Sequence, residues 1–399
     1  MNRRILLFSL VFFLIPLLTS CTGKIEIDEL ALVMAVGLDK GEKEGSIRVT
    51  TQVARPADAR GQTGAPSGQT GDPIWSASAE GETIFEAIRN LASFSSRRVF
   101  WAHNYAIVIN EDLAREIGIG DIIDFFTRNP QLRMRTWVVV TPDKASEVIS
   151  TITGLEVVPG EAIDKLFRYT TISTHAPQTQ MMDLQAAYLS EETQPVLARV
   201  KLQKRGVSNK KEGQSGSYKQ VDLAGAGIFK DDKLVGIVQP DEVKGLLPFI
   251  ETVESGVIGI NCPSDPTKKL SVEVLDQSFD LKPMVKNNLP AFEATIDIYG
   301  AVVEAGCPFT LKDRDQVEKI EKLVAEEIKS QIETVFNKAQ VEKSDFLQLG
   351  KVFNNRYPLE WKGFKDEWGD LLPSITLKVH STAHVNESAL LYNPTESGK

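Results

Sequence analysis

The stretch from Ile5 to Leu18 carries no charge, follows the basic pair Arg3-Arg4 and closes on Thr19-Ser20-Cys21. It constrains everything after it. A basic start, an apolar stretch and small residues before a cysteine make the layout of a secretory signal cut at that cysteine, a lipobox. The stretch is shorter than the ~20 residues a spanning helix needs, and Pro16 interrupts it, so a retained membrane anchor is disfavoured. Plain secretion without lipid is disfavoured too. Residues 1–20 are therefore expected to leave as a lipoprotein signal peptide, with diacylglyceryl on the Cys21 thiol. Each buried methylene is worth about 0.8 kcal/mol, and two acyl chains hold where one is marginal. The rest must fold on the outer face of a membrane, and none of it reaches the apolar length of a span.

Losing Arg3 and Arg4 takes the formal charge from −9 to −11. That balance argues against a nucleic-acid partner and against adhesion to anionic lipid by net charge. With 399 residues, 42% of them hydrophobic, the chain exceeds what one core organises. The pattern is α/β (mixed α+β), divided into three units. They are an N-terminal α/β domain at 21–195, a β-rich middle domain at 196–290 and a C-terminal α/β domain with a long helix at 291–399.

In the first unit, 29–39 and 46–54 read as paired strands joined through Lys40 to Gly45. Pro56 to Pro73, rich in Gly, Gln, Ser and Thr, reads as a loop. Thr83 to Phe94 carries Ile84, Phe85, Ile88, Leu91 and Ala92 at helical spacing. Short strands at 105–109 and 135–141 alternate with helices, and Pro159 to Tyr188 reads as mainly helical. The second unit has strands at 196–203, 223–229 and 234–238, the last two around the charged turn Lys230 to Lys233. A meander follows at 257–260, 270–279 and 292–299.

Val317, Ile320, Val324, Ile328, Ile332, Val335 and Ala339 then form one stripe at steps of three and four, nearer 3.6 than 3.5. This is a long helix packed on its own sheet, with an i,i+4 pair Glu318-Lys322 on its solvated face. Ser344-Asp345 can cap the next helix. Ile375, Leu377 and Val379 alternate as a last strand.

Cys262 and Cys307 each end a meander strand, in a compartment where disulfides persist. One strand lies between them. Strands are ~4.8 Å apart and bridged Cα atoms lie within about 7 Å, so direct ladder geometry is too wide. The balance falls to two buried thiols, and a disulfide stays open.

No catalytic constellation is present, whether a G-x-S-x-G elbow, a Walker loop or a Cys-x-x-Cys pair. His380 and His384 have metal-ligand spacing for a helix, but the alternation around them makes a strand, and carboxylate support is thin at Glu387. No metal, cofactor or enzymatic activity is expected. Two basic spots stand out in an acidic chain, Arg97-Arg98 and Arg133/Arg135 with Arg128. They suit headgroups or an acidic partner loop, against the plain reading of a solvated face with ion pairs.

The motifs in order resemble the Ger(x)C family, the lipoprotein C subunits of spore germinant receptors. After the lipobox come Glu29 to Val33 with Gly37-Leu38-Asp39. His103 to Ile109, Leu113 to Arg115 before Gly118, and Phe126 to Arg133 are similar to the next block. Gly227 to Phe229, Lys233 to Gly236 and Gly245 to Leu247 resemble the middle block. Asp345-Phe346, Leu349-Gly350, Pro358 and Trp361 to Trp368 resemble the C-terminal one. One departure is that Thr22-Gly23-Lys24 follows Cys21 where the family has Trp-Asp.

The resemblance implies three domains, each a mixed sheet packed with helices, in a non-catalytic subunit tethered by lipid to the outer face of the inner spore membrane. Its implied partners are an A subunit and a polytopic B subunit. Two acyl chains would raise the effective concentration of the first domain's faces toward them. The competing classes are a solute-binding lipoprotein of a transport or sensing system, which should show two similar lobes around a cleft, and a surface hydrolase.

Overall fold

The structure, a computed structural model, describes residues 29–54, 74–151, 156, 158–168, 174–205, 219–253, 255–308 and 312–386. Cys21 and its signal peptide, the Gly-rich segment at 56–73 and Glu387 lie outside the described residues. No helix among the described residues is long and apolar enough to cross a membrane.

The chain opens with β1 (Leu30–Lys40), β2 (Ile47–Ala54) and β3 (Ile74–Gly81), then α1 (Ile84–Ala92), β4 (Arg98–Phe100) and β5 (Ala106–Asn110). Next come α2 (Glu111–Glu116), α3 (Gly120–Arg128), β6 (Trp137–Thr141), α4 (Ala145–Ser150), α5 (Pro159–Arg168) and α6 (Met181–Tyr188). With β7 (Val196–Lys204), β8 (Lys219–Lys230) and β9 (Lys233–Val238) they form a nine-stranded sheet in the order β3-β2-β1-β5-β6-β7-β8-β9, with β4 beside the start of β1. β1, β5, β6 and β7 run parallel, and antiparallel hairpin strands flank them. Parallel strands need cover on both faces. β5 and β6 are buried throughout, and alternate residues serve opposite layers. Ile107, Ile109, Val138 and Val140 meet α1, α2, α3 and α6, whereas Ala106, Val108 and Val139 meet α4 and α5.

Gly37 and Asp39 act together at the second layer. A Cβ on Gly37 would stand 2.9 Å from the Ala145 carbonyl carbon, so only glycine admits the start of α4 this close. The buried Asp39 carboxylate then accepts the N–H of Ala145 at 2.7 Å and of Ser146 at 2.9 Å, satisfying donors that a helix start leaves open.

After α7 (Val243–Ile250), a second sheet is built from β10 (Gly256–Asn261), β11 (Lys269–Lys286), β12 (Leu289–Ala305) and β13 (Thr376–Asn386), in that order. The first three make the expected antiparallel meander, and β13 adds parallel to β12. α8 (Arg314–Glu342) starts at an Asp313 cap and ends at Lys343 in the left-handed region, φ 50°. Every residue of the predicted stripe is buried. At ~1.5 Å per residue it spans roughly 43 Å. Ile320, Val324, Ile328 and Ile332 cover the second sheet. Val335, Phe336 and Ala339 continue into a core shared with α7, α9 (Leu349–Arg356), α10 (Pro358–Phe364) and residues of β8 and β9. One helix thus joins both sheets.

The mixed α/β class holds, but three segments do not make three sheets. Position 195/196 falls ahead of strands that extend the first sheet, because β7 pairs with β6 and β8 with β7. Position 290/291 falls inside the β11–β12 hairpin, whose turn at Asn287 (φ 52°) and Asn288 (φ 60°) has the two left-handed residues a tight hairpin favours. Pro159 to Tyr188 is helical at its two ends, as α5 and α6, and not at residues 174–180 between them.

Cys262 and Cys307 are bonded, with Cα atoms 6.3 Å apart, which overturns the argument from ladder width. Both lie just past the last ladder pairs, where Cys262 N–H meets Lys268 and Gly306 N–H meets Lys269 at the point where β11 begins. Freed from the ladder, the two ends close over the entering strand. On α8, Glu318 pairs with Arg314 and Lys322 with Glu326, so the expected Glu318-Lys322 pair gives way to neighbours one turn outward.

Candidate functional site

A cavity of about 720 Å³ forms an open groove between α1 and α3. Its walls follow from how the two helices are set. α1 is capped by Thr83, whose hydroxyl accepts the Glu86 N–H, and buries Ile84, Ala87 and Leu91. α3 buries Ile122, Ile123 and Phe126. Each helix then turns aromatic and charged residues toward the other, Phe85 and Arg89 on one side and Phe125 and Arg128 on the other. Val99 and Trp101 lie between them.

Phe85, expected on the buried stripe, is 55% exposed. It sits next to Ile84 and so points about a quarter turn off the core face. Arg89 stands 5.0 Å over its ring, a cation–π contact. Arg128 donates to both oxygens of Asp124, at 2.7 and 2.8 Å. That hydrogen bond and the charge behind it hold the Asp124 carboxyl below its usual range and raise the guanidinium.

Arg97 and Arg98 line this groove. Arg133 and Arg135 do not; they are exposed on the segment before β6. The two segments run side by side, because Gln131 Oε1 accepts the Trp101 N–H at 3.5 Å and Asn104 O accepts the Thr136 hydroxyl at 3.1 Å. None of Arg97, Arg98, Arg133 and Arg135 has an ion-pair partner among the described residues. Four guanidiniums on adjacent strips, two of them lining a groove that also holds apolar side chains and the carboxylates of Glu82 and Asp121, can receive an apolar segment flanked by anionic groups. The sequence indicates the charges; the aromatic lining of Phe85, Trp101 and Phe125 has no sequence signal beyond aromatics beside core positions.

β4 fixes this groove relative to the start of the described chain. Leu30 pairs with Arg98 and Leu32 with Phe100. Cys21 precedes Leu30 by nine residues, a reach of at most ~32 Å. His380 and His384 lie on β13: His380 Nε2 meets Glu293 at 2.7 Å, and His384 stacks on Tyr299. No cluster of metal ligands forms among the described residues.

Residues 23–202 match the family described as spore germination protein N-terminal domain, and residues 224–389 match spore germination B3/GerAC like, C-terminal. Spore germination protein KC of Bacillus subtilis (strain 168) is 26% identical over 404 residues, covering 99% of this chain and 98% of that protein. Spore germination protein A3 of the same organism is 25% identical, covering 90% and 91%. The crystal structure of the GerBC protein superposes with a TM-score of 0.55 at 18% identity, over 91% of this chain and 99% of that one, a likeness of fold.

Proposed function

Since the chain belongs to the Ger(x)C family of spore germination proteins, we propose that it is a non-enzymatic, lipid-anchored subunit of a germinant receptor that acts by protein–protein contact. Cys21 carries the lipid and places the body on the outer face of the inner spore membrane. Its partners are the receptor's A and B membrane subunits, which meet the groove of Arg97 and Arg98 and the adjoining Arg133 and Arg135.

The ladder pair Leu30–Arg98 carries this reading. A tether at Cys21 lies within ~32 Å of Leu30, whose ladder partner Arg98 lines a groove that combines the exposed Phe85 with unpaired cations. Holding that face beside an integral neighbour turns a bimolecular encounter into an effectively intramolecular one. Aromatic and arginine side chains are also the types enriched where partners bind strongly.

The test compares wild type with Cys21→Ala in spores lacking the native copy. Wild type should co-purify with both membrane subunits and support nutrient germination. The variant should lose both while its soluble body stays folded. Full activity from the unlipidated variant contradicts the proposal.

A further inference from the structure

A second cavity, about 500 Å³, lies where β6, α6, the start of β7, the end of α7 and the segment before α9 meet. Its size suits a small molecule. Trp137 and Phe346 give it apolar wall, and its charged groups are Asp183, Glu251 and Lys351.

Asp183 has a structural task. It accepts the Gln180 N–H at 3.0 Å and closes the capping box of α6. Glu251 has no such occupation. Its carboxylate takes one long hydrogen bond, from the Gln178 N–H at 3.3 Å, and no ion pair among the described residues. Burial pushes it up to about 7, against that hydrogen bond. Lys244 on its own helix donates to Val257 O and is not its partner. Lys351, which lines the same cavity, donates from Nζ to the Gln348 amide oxygen at 3.2 Å and has no ion pair among the described residues. Gln348 itself holds φ 59°, a conformation costly for a side-chain-bearing residue and common at sites that position a ligand.

A half-buried, partly desolvated carboxylate without a cation is unfavourable, and a cation supplied from solution relieves it. We propose that this cleft binds a small protonated amine whose ammonium group docks on Glu251, with Lys351 placed to meet a carboxylate on the same molecule. This goes beyond the docking role and does not depend on Cys21. Binding favours the ionised carboxylate, so a proton leaves as the amine enters.

Calorimetry on the full chain, with n-butylamine and γ-aminobutyrate as probes, tests this in two buffers of different ionisation heat. At pH 7, where Glu251 titrates, each probe should bind with release of about half a proton. γ-Aminobutyrate should bind more tightly, and Lys351→Met should equalise the two. Glu251→Gln keeps the side chain's shape while removing its charge, and should abolish binding and proton release together. Heat of unfolding confirms that the variants are native. No binding of either probe at millimolar concentration, binding without proton release, or binding that survives Glu251→Gln overturns the proposal. None of these results bears on the Cys21→Ala experiment.

Discussion

The carboxylate of Asp345 accepts the indole N–H of Trp368 at 2.8 Å, deep in the core that α8 shares with the C-terminal helices. The same group takes the N–H of Leu349 at 2.9 Å and of Gly350 at 2.6 Å, starting α9. Its backbone oxygen receives Gln194 N–H and the Thr193 hydroxyl, both at 2.9 Å. One residue thus fastens the C-terminal helices to the segment that leads into β7.

Burial pushes the Asp345 carboxyl up to about 6, against the pull of those donors. An unfolded aspartate titrates near 3.9, so the contribution is fully present below about 4 and is lost as pH rises through 6. Wild type should lose on the order of 3 kcal/mol across that window. Asp345→Asn should lack this slope and sit lower at acid pH, because its amide nitrogen faces donors it cannot accept from, at a cost of about 1–3 kcal/mol. Urea unfolding at a series of pH values reads both; parallel curves for the two proteins contradict the assignment.

The Cys262–Cys307 bond closes a loop of 45 residues. Chain entropy then gives about 4 kcal/mol of stabilisation. Cys262→Ser with Cys307→Ser should lower the unfolding free energy by roughly 2–4 kcal/mol, with the loss concentrated in the second sheet. Hydrogen exchange of β10 and β12 amides, compared with β5 and β6, locates it.

Gly245 is where α7 crosses α8. A Cβ there would come within 2.3 Å of the Gln331 carbonyl carbon and oxygen, which are backbone atoms of the longer helix. Gly245→Ala should force the helices apart and cost about 1–3 kcal/mol, as overpacked cores do. Denaturant unfolding of the single variant settles it, and a stability equal to wild type contradicts the crossing.

Legibility in the sequence tracked how local the cause was. The α8 stripe and the β5 and β6 runs were readable because periodicity follows directly from burial. β7 to β9 looked like a new unit, since nothing local says that Val139 will pair with Ala198. The disulfide escaped for a related reason: strand spacing describes a ladder, and both cysteines lie beyond it. At the candidate face, Arg97, Arg98, Arg133 and Arg135 were visible as charges in an acidic chain. The groove under the first two was not, because it depends on how α1 and α3 are spaced. Glu251 gave no signal at all, as the cavity that half-buries it is made by segments far apart in the chain.

On the proposed function, the Arg97–Arg98 groove of a lipid-tethered body faces the membrane subunits. A photo-crosslinking residue at Phe85, exposed on that groove, tests it in spore membranes. Irradiation should join this chain to the A or B subunit, and Cys21→Ala should abolish the adduct. Adducts to neither subunit, or equal yield without Cys21, would contradict the account.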